Sequence, residues 1–207
     1  APLKEPVILL ANGEFPVHHL SKYLLDNSET IICTDGATDK LIKYGLEPTV
    51  TIGDLDSTKL SEHESPGLWV PAQDQNKTDL QKALDWCIIN NITEITILGA
   101  GGIREDHALG NLHILAEYQG MVELKMVTNH ATINCEQGNR IISSQPGQAI
   151  SIIAIHPVES ITVSGLKYPM VNQRLLPSSR ATCNEALNHE FSLDTSGPVW
   201  LFMNHTD

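Results

Sequence analysis

Thr49-Val50-Thr51-Ile52-Gly53-Asp54-Leu55-Asp56-Ser57 is the stretch from which the fold is worked out. Four β-branched residues closed by a glycine read as a short strand buried on both faces, and two aspartates follow it at once. The same construction recurs around it. Strand-like runs occupy Val7 to Ala11, Thr30 to Thr34, Leu68 to Pro71, Glu94 to Gly99 and Glu123 to Val127. Between them lie helical patterns at Pro16 to Leu25, Thr38 to Tyr44, Asp79 to Ile89 and Asp106 to Tyr118. In the third of these, Leu80, Ala83, Leu84 and Cys87 recur at helical spacing and define one apolar face. Parallel strands need crossover helices, so this half is expected to be an open, mostly parallel α/β sheet.

After Thr128 the pattern changes. Alternating strands are expected at Ala131 to Glu136, Arg140 to Ser143, Ala149 to Ile155, Ser160 to Ser164, Glu190 to Leu193 and Val199 to Met203. Gly138, Pro146-Gly147, Gly165 and Gly197-Pro198 read as the turns between them. This density of turns predicts a C-terminal antiparallel β-sandwich. Two domains follow, residues 1–127 and 128–207, α/β and then all-β.

The chain has 207 residues and a net charge of -12, with 13 Lys+Arg against 25 Asp+Glu. Residues 1–127 carry 9 basic and 19 acidic side chains, so -10 of that charge lies in the first domain. Nucleic acid and anionic membranes are therefore poor partners, since phosphate surfaces demand a basic face. No apolar run approaches the roughly 20 residues that span a bilayer. The first residues, Ala1 to Pro6, lack the basic start and apolar stretch of a signal peptide, and a cytoplasmic location is expected. Cys33, Cys87, Cys135 and Cys183 are too scattered for a metal-ligand pair and are expected to be reduced thiols.

The acids sit at particular places. Asp35, Asp54, Asp56, Asp74 and Asp106 all follow predicted strands. Open α/β sheets bind ligands beyond the carboxyl ends of their strands, so these groups should converge. Carboxylates packed together repel unless a cation intervenes, and a hard divalent ion such as Mg²⁺ suits oxygen ligands. A plainer reading stands beside this one: Asp56-Ser57 and Thr78-Asp79 are also good helix caps. Gly99, Gly101 and Gly102, between a strand and a helix, suit either a phosphate or a tight turn alone. Arg104 stands where a dinucleotide fingerprint would need its last glycine, and there is no Walker A sequence. A nucleotide would then be held through a metal, Arg104 and loop amides. His107 belongs either to that site or merely to the structure of its loop, and the scattered histidines give little support to zinc.

Assembled in order, these pieces resemble the thiamine pyrophosphokinase family. They are Thr34-Asp35-Gly36-Ala37, Gly45 to Pro48, Ile52-Gly53-Asp54-Leu55-Asp56-Ser57, Asp74-Gln75-Asn76-Lys77-Thr78-Asp79-Leu80, and Arg104-Glu105-Asp106-His107-Ala108-Leu109-Gly110-Asn111-Leu112. Gly165-Leu166-Lys167-Tyr168-Pro169 continues the likeness in the second domain. The resemblance implies a homodimer with active sites at the interface, and an enzyme that moves a pyrophosphoryl group from ATP to the thiamine hydroxyl, releasing AMP. It implies that Asp54, Asp56 and Asp79 hold Mg²⁺ and the triphosphate, one of them accepting the hydroxyl proton. It further implies that Asp35, Gln75, Arg104 and Asp106 serve ATP, and that Thr182, Asn184 and Tyr168 serve thiamine. The chain departs from the family at Ala181 and Cys183, where hydroxyl residues are usual, at Ile103, where a glycine is common, and at Asp39, where Asn is frequent. Two other readings remain at this point. One is a metal-dependent glycosyl or nucleotidyl transferase using Asp54-Leu55-Asp56, and the other is a non-catalytic thiamine or nucleotide sensor.

Overall fold

A computed structural model describes residues 3–54 and 66–206. The chain divides into two compact units, Ala1–Asn129 and His130–Asp207.

In the first unit the elements run β1 (Val7–Leu10), α1 (His19–Asp26), β2 (Ile31–Thr34), α2 (Asp35–Tyr44), β3 (Val50–Gly53), β4 (Leu68–Pro71), α3 (Asp79–Ile89), β5 (Glu94–Leu98), α4 (Glu105–Glu117) and β6 (Glu123–Val127). All six strands are parallel, in the order β4-β3-β2-β1-β5-β6. β1, β2 and β3 are buried at every residue, as their apolar runs require. β4 lies at an edge, where the terminal Pro71 costs no ladder bond. Leu25 of α1 and Ala37 and Leu41 of α2 close one core over Ile8, Leu10, Ile31, Cys33 and Leu98. α3 buries Leu80, Ala83, Leu84 and Cys87, the face that its spacing predicted.

The chain order reverses at β1, which pairs with β2 on one side and β5 on the other. That switch point is where such sheets open a crevice.

Two helix starts differ from expectation. α2 begins at Asp35, three residues before Thr38. α1 begins at His19 and not at Pro16, because the His18 ring accepts a hydrogen bond from Leu20 N at 3.2 Å and caps the helix there. The Asn129 side chain holds the incoming segment: Oδ1 accepts from Val17 N and His18 N, and Nδ2 donates to Phe15 O at 3.0 Å.

The second unit is all β: β7 (Ala131–Ser143), β8 (Ala149–Ala154), β9 (Val158–Ser164), β10 (Met170–Leu175), β11 (Asn184–Glu185) and β12 (Glu190–Asn204). β7 and β12 form one long antiparallel ribbon. Along it, Ser192–Thr195 pair with β9 and Val199–Met203 pair with β8, so β12 feeds two sheets around one apolar core. Gly138 and Gly197-Pro198, read as turns, lie inside the ribbon. Thr195 pairs with Gly138 and Val199 with Glu136, so three residues of β12 oppose one of β7 in a bulge. The positive φ of Gly138 (78°) and the missing N–H of Pro198 are absorbed there. β10 was not anticipated, because Met170–Leu175 is an edge strand with little apolar alternation.

No helix among the described residues is long and apolar enough to cross a membrane. All four cysteines are free thiols. Burial pushes Cys33, Cys87 and Cys135 up to about 12, whereas Cys183 is exposed. Iodoacetamide at pH 8 should therefore label Cys183 first and reach the other three only on unfolding. Peptide mass spectrometry of the folded protein checks this, and early labelling of Cys33 or Cys87 would contradict it.

Candidate functional site

The acidic residues of the first unit are placed by the carboxyl ends of β2, β3 and β4 and by the starts of α2, α3 and α4. Asp35 is the first residue of α2 and is 1 % exposed. It is a helix residue and not part of a loop. Its charge lies where the free N–H groups of a helix start favour an anion. Gly53, the last residue of β3, makes room for it: a Cβ there would collide with the Asp35 Cβ and come 2.9 Å from its Cγ. Asp35 therefore packs against the root of Asp54, which is half-buried.

The segment after β1 completes this corner, and the sequence reading missed it. Asn12 lies over Gly36, where a Cβ would be 2.7 Å from the Asn12 Cγ. Gly13 N donates to Gly99 O at 2.6 Å and Glu14 N to Gly101 O at 2.8 Å. The half-buried Lys40 of α2 donates to Asn12 O at 3.0 Å and Gly13 O at 2.9 Å, and burial lowers its pKa. The signal was available, since Asn12-Gly13-Glu14 also follows a strand; only its lack of an aspartate hid it.

Across the switch point runs the glycine loop. Gly99 and Gly102 adopt φ of 69° and 66°, and Ile103 is forced to 62°. Asn111 of α4 fastens the loop by donating to Ala100 O at 2.8 Å. Arg104 caps α4 with its backbone, while its guanidinium grips Asp106 through Nε to Oδ1 (3.1 Å) and Nη2 to Oδ2 (2.6 Å). The hydrogen bond from Arg104 is the main cause that lowers the Asp106 carboxyl to about 2. Both side chains are exposed, so the pair contributes little to stability. His107 is exposed, and its N–H donates to Asp106 Oδ1.

Thr78, not Asp79, caps α3: it forms a capping box with Gln81. Asp79 is thereby left free of capping duty and accepts from Lys82 Nζ at 3.1 Å. Gln75 is exposed in the turn before α3, beside an Asp74 whose Oδ1 accepts from Asn76 N. Asp56 lies outside the described residues, and among the described ones no three His, Cys, Asp or Glu side chains form a group able to hold a metal ion.

In the second unit, the structure brings Asn184 and Tyr168 together. The Asn184 amide donates to Tyr168 O at 2.8 Å and accepts from Tyr168 N at 3.0 Å. Asn184 is thus engaged with the backbone that presents the exposed Tyr168 ring. Thr182 donates to Ser179 O at 2.7 Å, and Cys183 adopts φ of 59° with its N–H on Ser151 Oγ.

Two family descriptions match the chain. "Thiamin pyrophosphokinase, catalytic domain" covers residues 21–127, and "Thiamin pyrophosphokinase, vitamin B1 binding domain" covers residues 130–200. The thiamine pyrophosphokinase of Bacillus subtilis is 28% identical over 188 residues, spanning 85% of this chain and 87% of that one. The thiamin pyrophosphokinase 1 of Caenorhabditis elegans is 25% identical over 210 residues, spanning 93% and 86%. Among solved structures, the Bacillus subtilis enzyme superimposes with a TM-score of 0.79 at 26% identity, covering 97% of this chain and 99% of that one. The thiamin pyrophosphokinase of Candida albicans shares the fold, with a TM-score of 0.82 at 17% identity over 97% of this chain and 89% of that one.

Ile103 carries a measurable strain, because a β-branched side chain in the left-handed region costs about 1–2 kcal/mol. It is 72% exposed, so little packing is lost by removing it. After the entropy cost of a new glycine, Ile103→Gly should stabilise the protein by roughly 0.5–1 kcal/mol, or about 1–3 °C. Thermal unfolding checks this; a lower midpoint would mean that the side chain is held by contacts that outweigh the strain.

Proposed function

This chain belongs to the thiamin pyrophosphokinase family, and we propose how its residues divide the transfer of pyrophosphate from ATP to thiamine. The observation that carries the proposal is the packing of the buried Asp35 against Gly53, which sets two carboxylates at adjoining strand ends beside the switch point. In this reading residues 1–127 bind ATP and metal, and residues 128–207 bind thiamine and form a homodimer.

The donor set suits a hard ion: Asp54, Asp56 and Asp79 offer only carboxylate oxygens, as Mg²⁺ prefers. When bound, Mg²⁺ would neutralise charge on the triphosphate. The remaining work belongs to the chain. Arg104 binds phosphate oxygens in a paired contact, with Asp106 aiming the guanidinium. Gln75 adds a neutral donor, and Asp35 fixes the floor from which Asp54 projects. Asp54 accepts the proton of the thiamine hydroxyl as its oxygen attacks the β-phosphorus, and the bond to the α-phosphate oxygen breaks to release AMP. Such transfers depend on positioning and charge stabilisation more than on a strong base. We assign thiamine to the second unit, near Thr182 and Asn184 and the Tyr168 ring, and its positive charge suits a chain of net charge -12. The reduced thiols agree with work in the cytoplasm.

With Mg²⁺, ATP and thiamine, the purified protein should form AMP and thiamine diphosphate in equal amounts, read by chromatography. ADP as the product would overturn the pyrophosphoryl step, and binding without turnover would favour a sensor. Asp79→Asn should lower kcat by about 100-fold or more with an unchanged fold by circular dichroism. A near-normal rate would remove Asp79 from the metal site. Sedimentation should give twice the 22.7 kDa of the chain; a monomer would count against shared active sites.

A further inference from the structure

Lys82 is the residue that the proposed function leaves unexplained. Its side chain is 8% exposed, whereas the Lys and Arg partners of the other ion pairs among the described residues are 43% to 68% exposed. The stem is packed away from water, and an apolar side chain of similar length would commonly fill that space at least as well. Its location adds a cost: Lys82 is the fourth residue of α3, where the helix start repels cations. Packing of the stem therefore does not call for the charge at its end.

Its ion-pair partner is informative. Nζ lies 3.1 Å from Oδ1 of Asp79, whose side chain is 38% exposed. Thr78 and Gln81 form the capping box, so Asp79 has no capping duty to bind it elsewhere. One carboxylate oxygen is thus held from the protein side by a sheltered cation, in a domain whose net charge is -10.

We propose that Lys82 is a positioning residue: a built-in counter-ion that orients Asp79 through Oδ1 and reserves the carboxylate for a metal arriving with its nucleotide. This rests on the reading that Asp79 is a metal ligand. In the free protein the ammonium competes with any lone divalent ion for Asp79. A metal already carrying a triphosphate brings negative charge of its own, which the ammonium favours. The pair thus selects the metal–nucleotide complex over the bare metal, and it holds Asp79 in place during turnover.

The test uses the full chain, with Mn²⁺ alone as the probe, free Mn²⁺ being read by electron paramagnetic resonance. Lys82→Met and Lys82→Gln should bind Mn²⁺ roughly fivefold more tightly than the parent, because the competing charge is gone. Lys43→Met removes an exposed charge from α2 and should change Mn²⁺ affinity by less than about twofold. Both Lys82 variants should keep their thermal midpoint and lose about tenfold in kcat, with the KM for thiamine little changed. Unchanged or weaker Mn²⁺ binding, or a parental kcat, would overturn the proposal. So would failure of both Lys82 variants to fold, which would make the lysine structural. Asp79→Asn separates the two readings. If it still binds Mn²⁺ and turns over, Asp79 is no metal ligand and the underlying reading fails. If it is impaired while the Lys82 variants behave as parent, only the counter-ion role falls.

Discussion

Gly53 has no side chain, and the Asp35 carboxylate takes up the room that this leaves at the end of β3. Much of the first unit is organised by this fit. Because Asp35 is also the first residue of α2, its position sets where the helix begins and puts Gly36 beneath Asn12. One turn later the same helix delivers Lys40 to the carbonyls of Asn12 and Gly13. Those residues are tied in turn to the glycine loop through Gly13 N and Gly99 O. A methyl group at position 53 would force Asp35 outward, and the disturbance would pass along this chain of contacts to the loop that carries Arg104.

The electrostatics of the unit follow the same economy. A charge of -10 over the first 127 residues is tolerable on a surface, but Asp35 and Asp54 are gathered at neighbouring strand ends. The basic side chains nearby are committed in different ways. Lys40 is partly buried and spends its hydrogen bonds on backbone carbonyls, bracing the loop. Lys82 is sheltered and meets a carboxylate. Arg104 stands in water, where its pairing with Asp106 costs little to rearrange.

The second unit solves a different problem. Its ribbon of β7 and β12 serves two sheets because a bulge near Gly138 and Gly197-Pro198 lets one strand change partners. The Asn184 amide then fixes the Tyr168 backbone, so that an aromatic ring can stand exposed without a core beneath it.

Short apolar runs closed by glycine and aspartate were sufficient to read the parallel sheet, and the period of α3 was sufficient to name its buried face. Both are local properties: a strand buried on two faces must be apolar throughout, and a helix buried on one must repeat every three or four residues. The motifs around Asp54, Asp79 and Arg104 were legible for the same reason, each being contiguous. What local pattern could not carry was the meaning of glycine. Gly138 and Gly197 looked like turns and proved to lie in a ribbon: the positive φ of Gly138 serves a turn or a bulge equally well, and only the opposing strand decides between them. Nor could it reveal that Asn12, Lys40 and Lys82 belong with the aspartates. Their partners are a helix start, two loop carbonyls and a half-exposed carboxylate, and a lysine in a sequence shows neither its depth nor the charge it faces. Those are set only when the chain has closed around them.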